Sequence, residues 1–183
     1  MTVSTGAVAD VVAWPGEAPR GRYLPAAVSL FVAIAAGPRA ATWALGSWGI
    51  VPIGHGIKRI VDRPRPFPGR LDPRGGMSQS PSFPSTHVSK YVAVFGFASW
   101  LLWRRRSVLA VPAAVWSAAL IALIGPSRIK TGDHRSSDVI AGYVLGSAYL
   151  AVLVALAAHD RGLRRGSCRA ANRPAGNVHR ASR

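Results

Sequence analysis

Five apolar runs, at residues 24–36, 41–57, 86–103, 108–124 and 137–158, restrict this 183-residue chain more than any other feature. Crossing about 30 Å of hydrocarbon takes on the order of 20 helical residues, with about 17 as the lower limit. The last four runs meet that length and are too long to read as strands. The first is shorter and is closed by Gly37-Pro38-Arg39. Counted with the others, it completes an all-α, polytopic transmembrane bundle of about five spanning helices. Pro52 and Pro112 fall inside runs. Membrane bundles tolerate such residues because neighbouring groups satisfy the freed backbone.

Charge enters second. The formal net charge is +16, yet hydrophobic residues make up 49% of the chain. A strongly basic soluble protein usually means nucleic acid, whereas long apolar runs demand a bilayer, and here the runs decide. No nucleic-acid role is expected. The chain divides into a polar, Pro/Gly-broken segment at 1–22, a transmembrane domain at 23–160 and a basic tail at 161–183. That tail holds seven Arg and no acidic residue. It cannot bury a core, so it reads as a disordered cytoplasmic anchor beside anionic lipid. Residues 1–22 lack a basic region followed by an apolar one, so no cleavable signal peptide is expected and the first membrane helix does the targeting. The single cysteine, Cys168, lies in the tail and excludes an internal disulfide.

With the tail and Arg104-Arg105-Arg106 cytoplasmic, and Trp100 and Trp103 forming an interfacial belt beside the triplet, the connectors at 58–85 and 125–136 face outward from the cell (inner) membrane. The first of these connectors is itself basic, with Lys58, Arg59, Arg63, Arg65, Arg70 and Arg74, so the asymmetry behind this orientation is small.

An antiparallel bundle places both connectors on one face, and the reactive residue types lie in or beside them. Lys58 and Arg65 occur in KRIVDRPRP, Ser85 and His87 in PSTH, and Arg128, His134 and Asp138 in SRIKTGDHRSSD. Lys58, Arg65 and Arg128 supply three positive charges, two of them guanidiniums suited to forked hydrogen bonds with phosphate oxygens. Two histidines can divide the roles of nucleophile and general acid. An Asp four residues after His134, one helical turn on, can accept the Nδ1 proton and leave Nε2 free to attack. These residue types point to phosphate chemistry.

The spacing Lys58-x6-Arg65-Pro66, then Pro84-Ser85-x-His87, then Ser127-Arg128-x5-His134-x3-Asp138 resembles the three-part signature of the type 2 phosphatidic acid phosphatase superfamily. That family includes bacterial lipid phosphate and polyprenyl diphosphate phosphatases, glucose-6-phosphatase and the vanadium haloperoxidases. The resemblance covers residues 41 to 158. It implies a two-step phosphohydrolase that uses neither metal nor other cofactor. By resemblance His134 attacks phosphorus, Asp138 orients its ring, and His87 protonates the leaving oxygen and then activates water. Lys58, Arg65, Arg128, Ser85 and the Thr86 N–H hold the phosphate oxygens. The implied substrate is a membrane lipid phosphate: a polyprenyl phosphate or diphosphate, a phosphatidate or a phosphatidylglycerophosphate. A lipid phosphotransferase using the same intermediate and a vanadate-binding haloperoxidase-like protein are the alternatives.

Three features depart from the family's usual pattern. Thr86 stands where Gly is usual, and its side chain is expected to crowd the phosphate. Arg135-Ser136-Ser137 replaces a run that commonly holds an aromatic and a Pro. Five spanning helices are expected where many bacterial relatives have six. Outside the signature, Arg59, Arg63 and Lys130 read as snorkelling anchors, Arg135 as a solvated side chain and His55 as a packed one; His159 and His179 look incidental. Gly142 and Gly146 form a small-xxx-small face for close helix packing, and glycine-lined faces leave homo-oligomerisation open.

Overall fold

The structure is a computed structural model, and it describes residues 27, 30–32, 34, 36–66, 80–130 and 132–160. The polar segment 1–22, the tail 161–183, Arg70, Arg74 and much of the first apolar run lie outside the described residues. The elements are α1 (Pro38–Gly46), a 3-10 turn (Ser47–Gly49), α2 (Ile50–Val61), α3 (Thr86–Arg104), α4 (Ala110–Lys130) and α5 (Ser136–His159). The described part of the first run, at 27, 30–32, 34 and 36, is also helical.

The run expected as one helix at 41–57 is divided. Pro52 has no N–H to offer the Trp48 carbonyl one turn back, and the chain tightens into the 3-10 turn at Ser47–Gly49 just there. The fourth run behaves oppositely. Its helix continues past residue 124, through Pro126, to Lys130. A proline in mid-helix frees the carbonyl four residues earlier, here Ala122. Tyr143 of α5 compensates: its hydroxyl donates to the Ile121 carbonyl at 2.6 Å and stands 3.5 Å from that of Ala122. The extra turn carries Arg128 inward.

α3 is the hub of the bundle and packs against α5, α4 and α2. Its approach to α5 is a backbone contact. A Cβ at Gly142 would stand 2.7 Å from the Ser85 carbonyl oxygen, and one at Gly146 would stand 2.9 Å from Ser89 Cα. Small residues at this spacing are the means by which membrane helices approach closely. Val88, Tyr91, Ile124 and Val139 fill the core just beneath this joint. Ala40, Ala44, Phe97, Leu101, Leu153 and Ala157 fill it toward the far end. At that far end Trp43 Nε1 donates to Asp160 Oδ2 at 2.9 Å, and Arg104 lies over the Trp100 ring at 5.3 Å.

Among the described residues two helices, α4 and α5, are long and apolar enough to cross a membrane. Only 28% and 22% of their apolar windows are buried inside the protein, so they are not the core helices of a soluble fold. Val111, Val115 and Trp116 on α4, and Ile140, Val144, Val152 and Leu156 on α5, are all exposed. A continuous apolar surface of this kind belongs against lipid.

Candidate active site

Each connector is stitched by its backbone before it presents a side chain. Asp62 closes α2 in the left-handed region at φ 42°, with its N–H on the Lys58 carbonyl at 2.9 Å. Aspartate tolerates this geometry better than most residues. Residues 63 and 64 then run beside Ser82, whose N–H donates to the Arg63 carbonyl at 2.8 Å. Buried Lys58 donates Nζ to the Pro81 carbonyl. Arg65 donates Nε to the Ser80 carbonyl at 3.0 Å and Nη2 to Ser80 Oγ at 2.8 Å.

The second motif opens α3. Ser85, at the N-cap, donates its backbone N–H to the Asp138 carbonyl at 3.0 Å, which joins the second motif to the third. The first N–H groups of a helix, that of Thr86 among them, have no intrahelical acceptor and favour an anion. The Thr86 methyl points at α2, where a Cβ on Gly54 would meet its Cγ2 at 2.8 Å. The Thr86 methyl is thus accommodated by a glycine on the neighbouring helix. Ser85 Oγ and His87 Nε2 are buried and have no hydrogen-bond partner among the described residues. The cationic side chains of Lys90, Arg128 and Lys58 lie near enough to the His87 ring to act on it electrostatically. Lys90, one turn along α3, is itself buried and lies 5.4 Å from the Trp48 ring centroid.

The third motif supplies two carboxylates. The N–H groups of Asp133 and His134 both bond the Arg128 carbonyl, at 3.2 and 3.3 Å, so the turn folds back on the end of α4. Asp133 Oδ1 lies 3.3 Å from Arg65 Nη1, and its Oδ2 lies 3.3 Å from Arg128 Nη1. Asp138 is fully buried. Its Oδ2 accepts the Arg135 N–H at 2.9 Å, which caps α5. Its Oδ1 accepts from Arg63 Nη1 at 2.9 Å. His134 Nδ1 stands 3.8 Å from Asp138 Oδ2, about 0.6 Å beyond a normal hydrogen bond. Burial first, and then the charges of Lys58 and Arg65, push the His134 ring down from 6.5 to about 4, against the pull of Asp138 and Asp133. At that value the imidazole is neutral at physiological pH and keeps a lone pair on one ring nitrogen.

Several sequence expectations change in detail. His134 and Asp138 do not share a helical turn, because α5 begins at Ser136; the capping of Arg135 brings the carboxylate to the ring instead. Arg63 is not a snorkelling anchor. It holds Asp138, donates to Ser137 Oγ at 2.9 Å and stands 5.1 Å from the Phe83 ring centroid. His55 is exposed rather than packed. Asp133 escaped the sequence reading altogether. One signal for it was present, since a chain with only 7 acidic residues places this one directly before His134.

Beside this cluster lies an apolar groove of about 520 Å³, lined by Ile57, Phe83, Pro84, Ser137, Ile140, Ala141, Val144, Leu145 and Ala148. It shares the first turn of α5 with Asp138 and runs along the exposed face of that helix.

The chain is similar to proteins of known structure and activity. A lipid A 1-phosphatase from Rhizobium johnstonii is 35% identical over 106 residues, covering 55% of this chain and 40% of that protein. One from Rhizobium etli is 34% identical over 96 residues, covering 49% and 38%. The chain thus spans about two fifths of the length of these curated relatives. The crystal structure of a transmembrane PAP2 type phosphatidylglycerolphosphate phosphatase from Bacillus subtilis superposes with a TM-score of 0.72 at 18% identity, covering 88% of this chain and 80% of that one. The family model of the PAP2 superfamily matches residues 26–161, and with most of the chain accounted for in this way, the protein belongs to the PAP2 superfamily.

Proposed function

We propose that the protein is an integral membrane phosphatase that releases phosphate from a lipid phosphate monoester or diphosphate through a phosphohistidine on His134. The observation that carries this reading is the pair of buried, unpartnered polar atoms, Ser85 Oγ and His87 Nε2, set among Lys58, Arg128 and a neutral His134. Buried polar atoms are normally satisfied, so a pair left open in a basic recess fits an anionic ligand. In the first step His134 Nε2 bonds to phosphorus as the bond to the leaving oxygen breaks, and His87 gives that oxygen a proton. In the second, His87 takes a proton from water, whose oxygen bonds to phosphorus as the N–P bond breaks. Lys58, Arg65, Arg128, Ser85 and the Thr86 N–H hold the non-bridging oxygens, where charge stabilisation supplies most of the acceleration. Asp138 steadies the ring as it becomes positive.

The groove beside Asp138 supports an amphiphilic substrate, with the phosphate among the cations and an alkyl or prenyl chain along α5. The relatives act on lipids that carry phosphate on quite different bodies, lipid A and phosphatidylglycerolphosphate by their names. The short connectors here leave little material to read a large headgroup, which favours a simple phosphate carrier. In the membrane the site faces outward, and the Arg104–Arg106 end faces the cytoplasm. Purified protein is expected to release phosphate from a panel of polyprenyl, phosphatidate, phosphatidylglycerophosphate and lipid A phosphates. His134→Ala is expected to abolish that release, and undiminished release in the variant overturns the mechanism.

A further inference from the structure

We propose that Asp133 is a resident counter-anion of the phosphate cradle: its carboxylate bridges Arg65 and Arg128 while the cradle is empty and yields both guanidiniums when phosphate binds. The inference rests on the reading of those two arginines as phosphate clamps. Asp133 gives one oxygen to each, at 3.3 Å, and so spans the pair as two oxygens of a single phosphate would. The side chains of Arg65 and Arg128 are only 19% and 5% exposed, and Lys58 is buried beside them. Positive charges crowded together out of water are costly without an anion close by. Asp133 removes that cost.

The same contacts are built to be given up. Charge-assisted pairs usually close to about 2.7–2.9 Å, and the contacts of Asp133 with Arg65 and Arg128 are longer. Its side chain is 23% exposed, so it has a route to water. A phosphate dianion brings more charge and more acceptor oxygens to the arginines, and a carboxylate left between them would repel it. Binding therefore exchanges one anion for the other. The exchange weakens the hold on any phosphate, including the product, whose departure is assisted by the returning carboxylate.

The test uses full-length protein in detergent, with orthovanadate and inorganic phosphate as probes in calorimetry and thermal unfolding. Asp133→Asn is expected to bind orthovanadate about tenfold more tightly than wild type. Without anion it is expected to unfold at a lower temperature, and saturating vanadate is expected to stabilise it more than it stabilises wild type. Equal or weaker vanadate binding overturns the proposal, because the carboxylate would then organise the arginines rather than compete for them. Asp133→Glu, which keeps the charge, is expected to bind vanadate no more tightly than wild type; a gain there also overturns the idea, and this variant serves if Asp133→Asn does not fold. Arg128→Ala separates the two failures. Vanadate binding that survives Arg128→Ala unchanged sinks the clamp reading itself, whereas binding that needs Arg128 but does not improve in Asp133→Asn sinks only the role of Asp133.

Discussion

Asp133 and Asp138 lie five residues apart, the first in the connector before α5 and the second in the first turn of that helix, yet they are held in opposite ways. Asp138 is fully buried, with a guanidinium at 2.9 Å on one oxygen and a backbone N–H at 2.9 Å on the other. Asp133 is part-exposed and shares itself between two guanidiniums at 3.3 Å each. A buried carboxylate with short, charge-assisted bonds is a fixed part of the structure. A loosely bridging carboxylate near solvent is replaceable. The difference sets a fixed carboxylate beside His134 and a more loosely held one between Arg65 and Arg128; on the proposed reading, the first orients the attacking ring and the second neutralises the binding cations.

The largest expected effect breaks the rigid side of this comparison. Asp138→Asn keeps the shape of the side chain but removes its charge, and kcat for phosphate release is expected to fall on the order of a thousandfold, in line with other enzymes whose imidazole loses its carboxylate. Orthovanadate binding measured on the same preparation should survive, because the clamps are untouched. A loss in kcat of less than about tenfold would leave Asp138 as a helix cap alone.

A smaller effect sharpens the comparison by removing the partner of Asp138. Arg63→Gln is expected to lower kcat about tenfold to a hundredfold, the usual range for groups that orient a functional imidazole at one remove. KM should change less than about twofold, since Arg63 donates to Asp138 and Ser137 and is separate from the Arg65–Asp133–Arg128 bridge. In an Asp138→Asn background the same substitution should add nothing, because the two residues act through one contact. Additive losses, or a change confined to KM, would make Arg63 a phosphate ligand instead.

The smallest expected signal is in the titration of His134. A ring depressed to about 4 by burial and by Lys58 and Arg65 stays neutral as pH falls through 6.5 and gains its proton only near the lower value. Carbon shifts of a labelled His134 ring should hold at their neutral values from pH 7 to about 5. In Arg63→Gln the midpoint should rise, because Asp138 then directs more of its charge to the ring. A wild-type midpoint near 6.5 would mean that the ring is hydrated rather than enclosed.

Much of this molecule was legible before folding was considered. Apolar length is a local property, and the spans of α4 and α5 follow from it directly. The signature residues could be read because their spacing is local within each motif: six residues between Lys58 and Arg65, five between Arg128 and His134. Local reading failed where chain geometry was the unknown. The run at 41–57 satisfied the length criterion, but Pro52 and the glycines around it divide the helix. The fourth apolar run ends at residue 124, but a tyrosine hydroxyl from α5 supports the carbonyls beneath Pro126 and the helix continues to Lys130.

What the sequence by itself determined is therefore an apolar helical chain that carries a phosphate-type set of cations, histidines and a carboxylate in a fixed order. Only the tertiary structure decided which charge meets which. Arg63 and Asp138 are 75 residues apart, and Arg65 and Asp133 are 68 apart. No spacing rule reaches across such distances. They meet because α3 and α5 approach backbone to backbone at Gly142, which ties Ser85 to Asp138 and draws the connector ahead of α3 onto the turn ahead of α5. Gly54 likewise makes room for Thr86 from a different helix. Pairing of this kind depends on how closely two helices can pack, and that is set by the side chains of both at once.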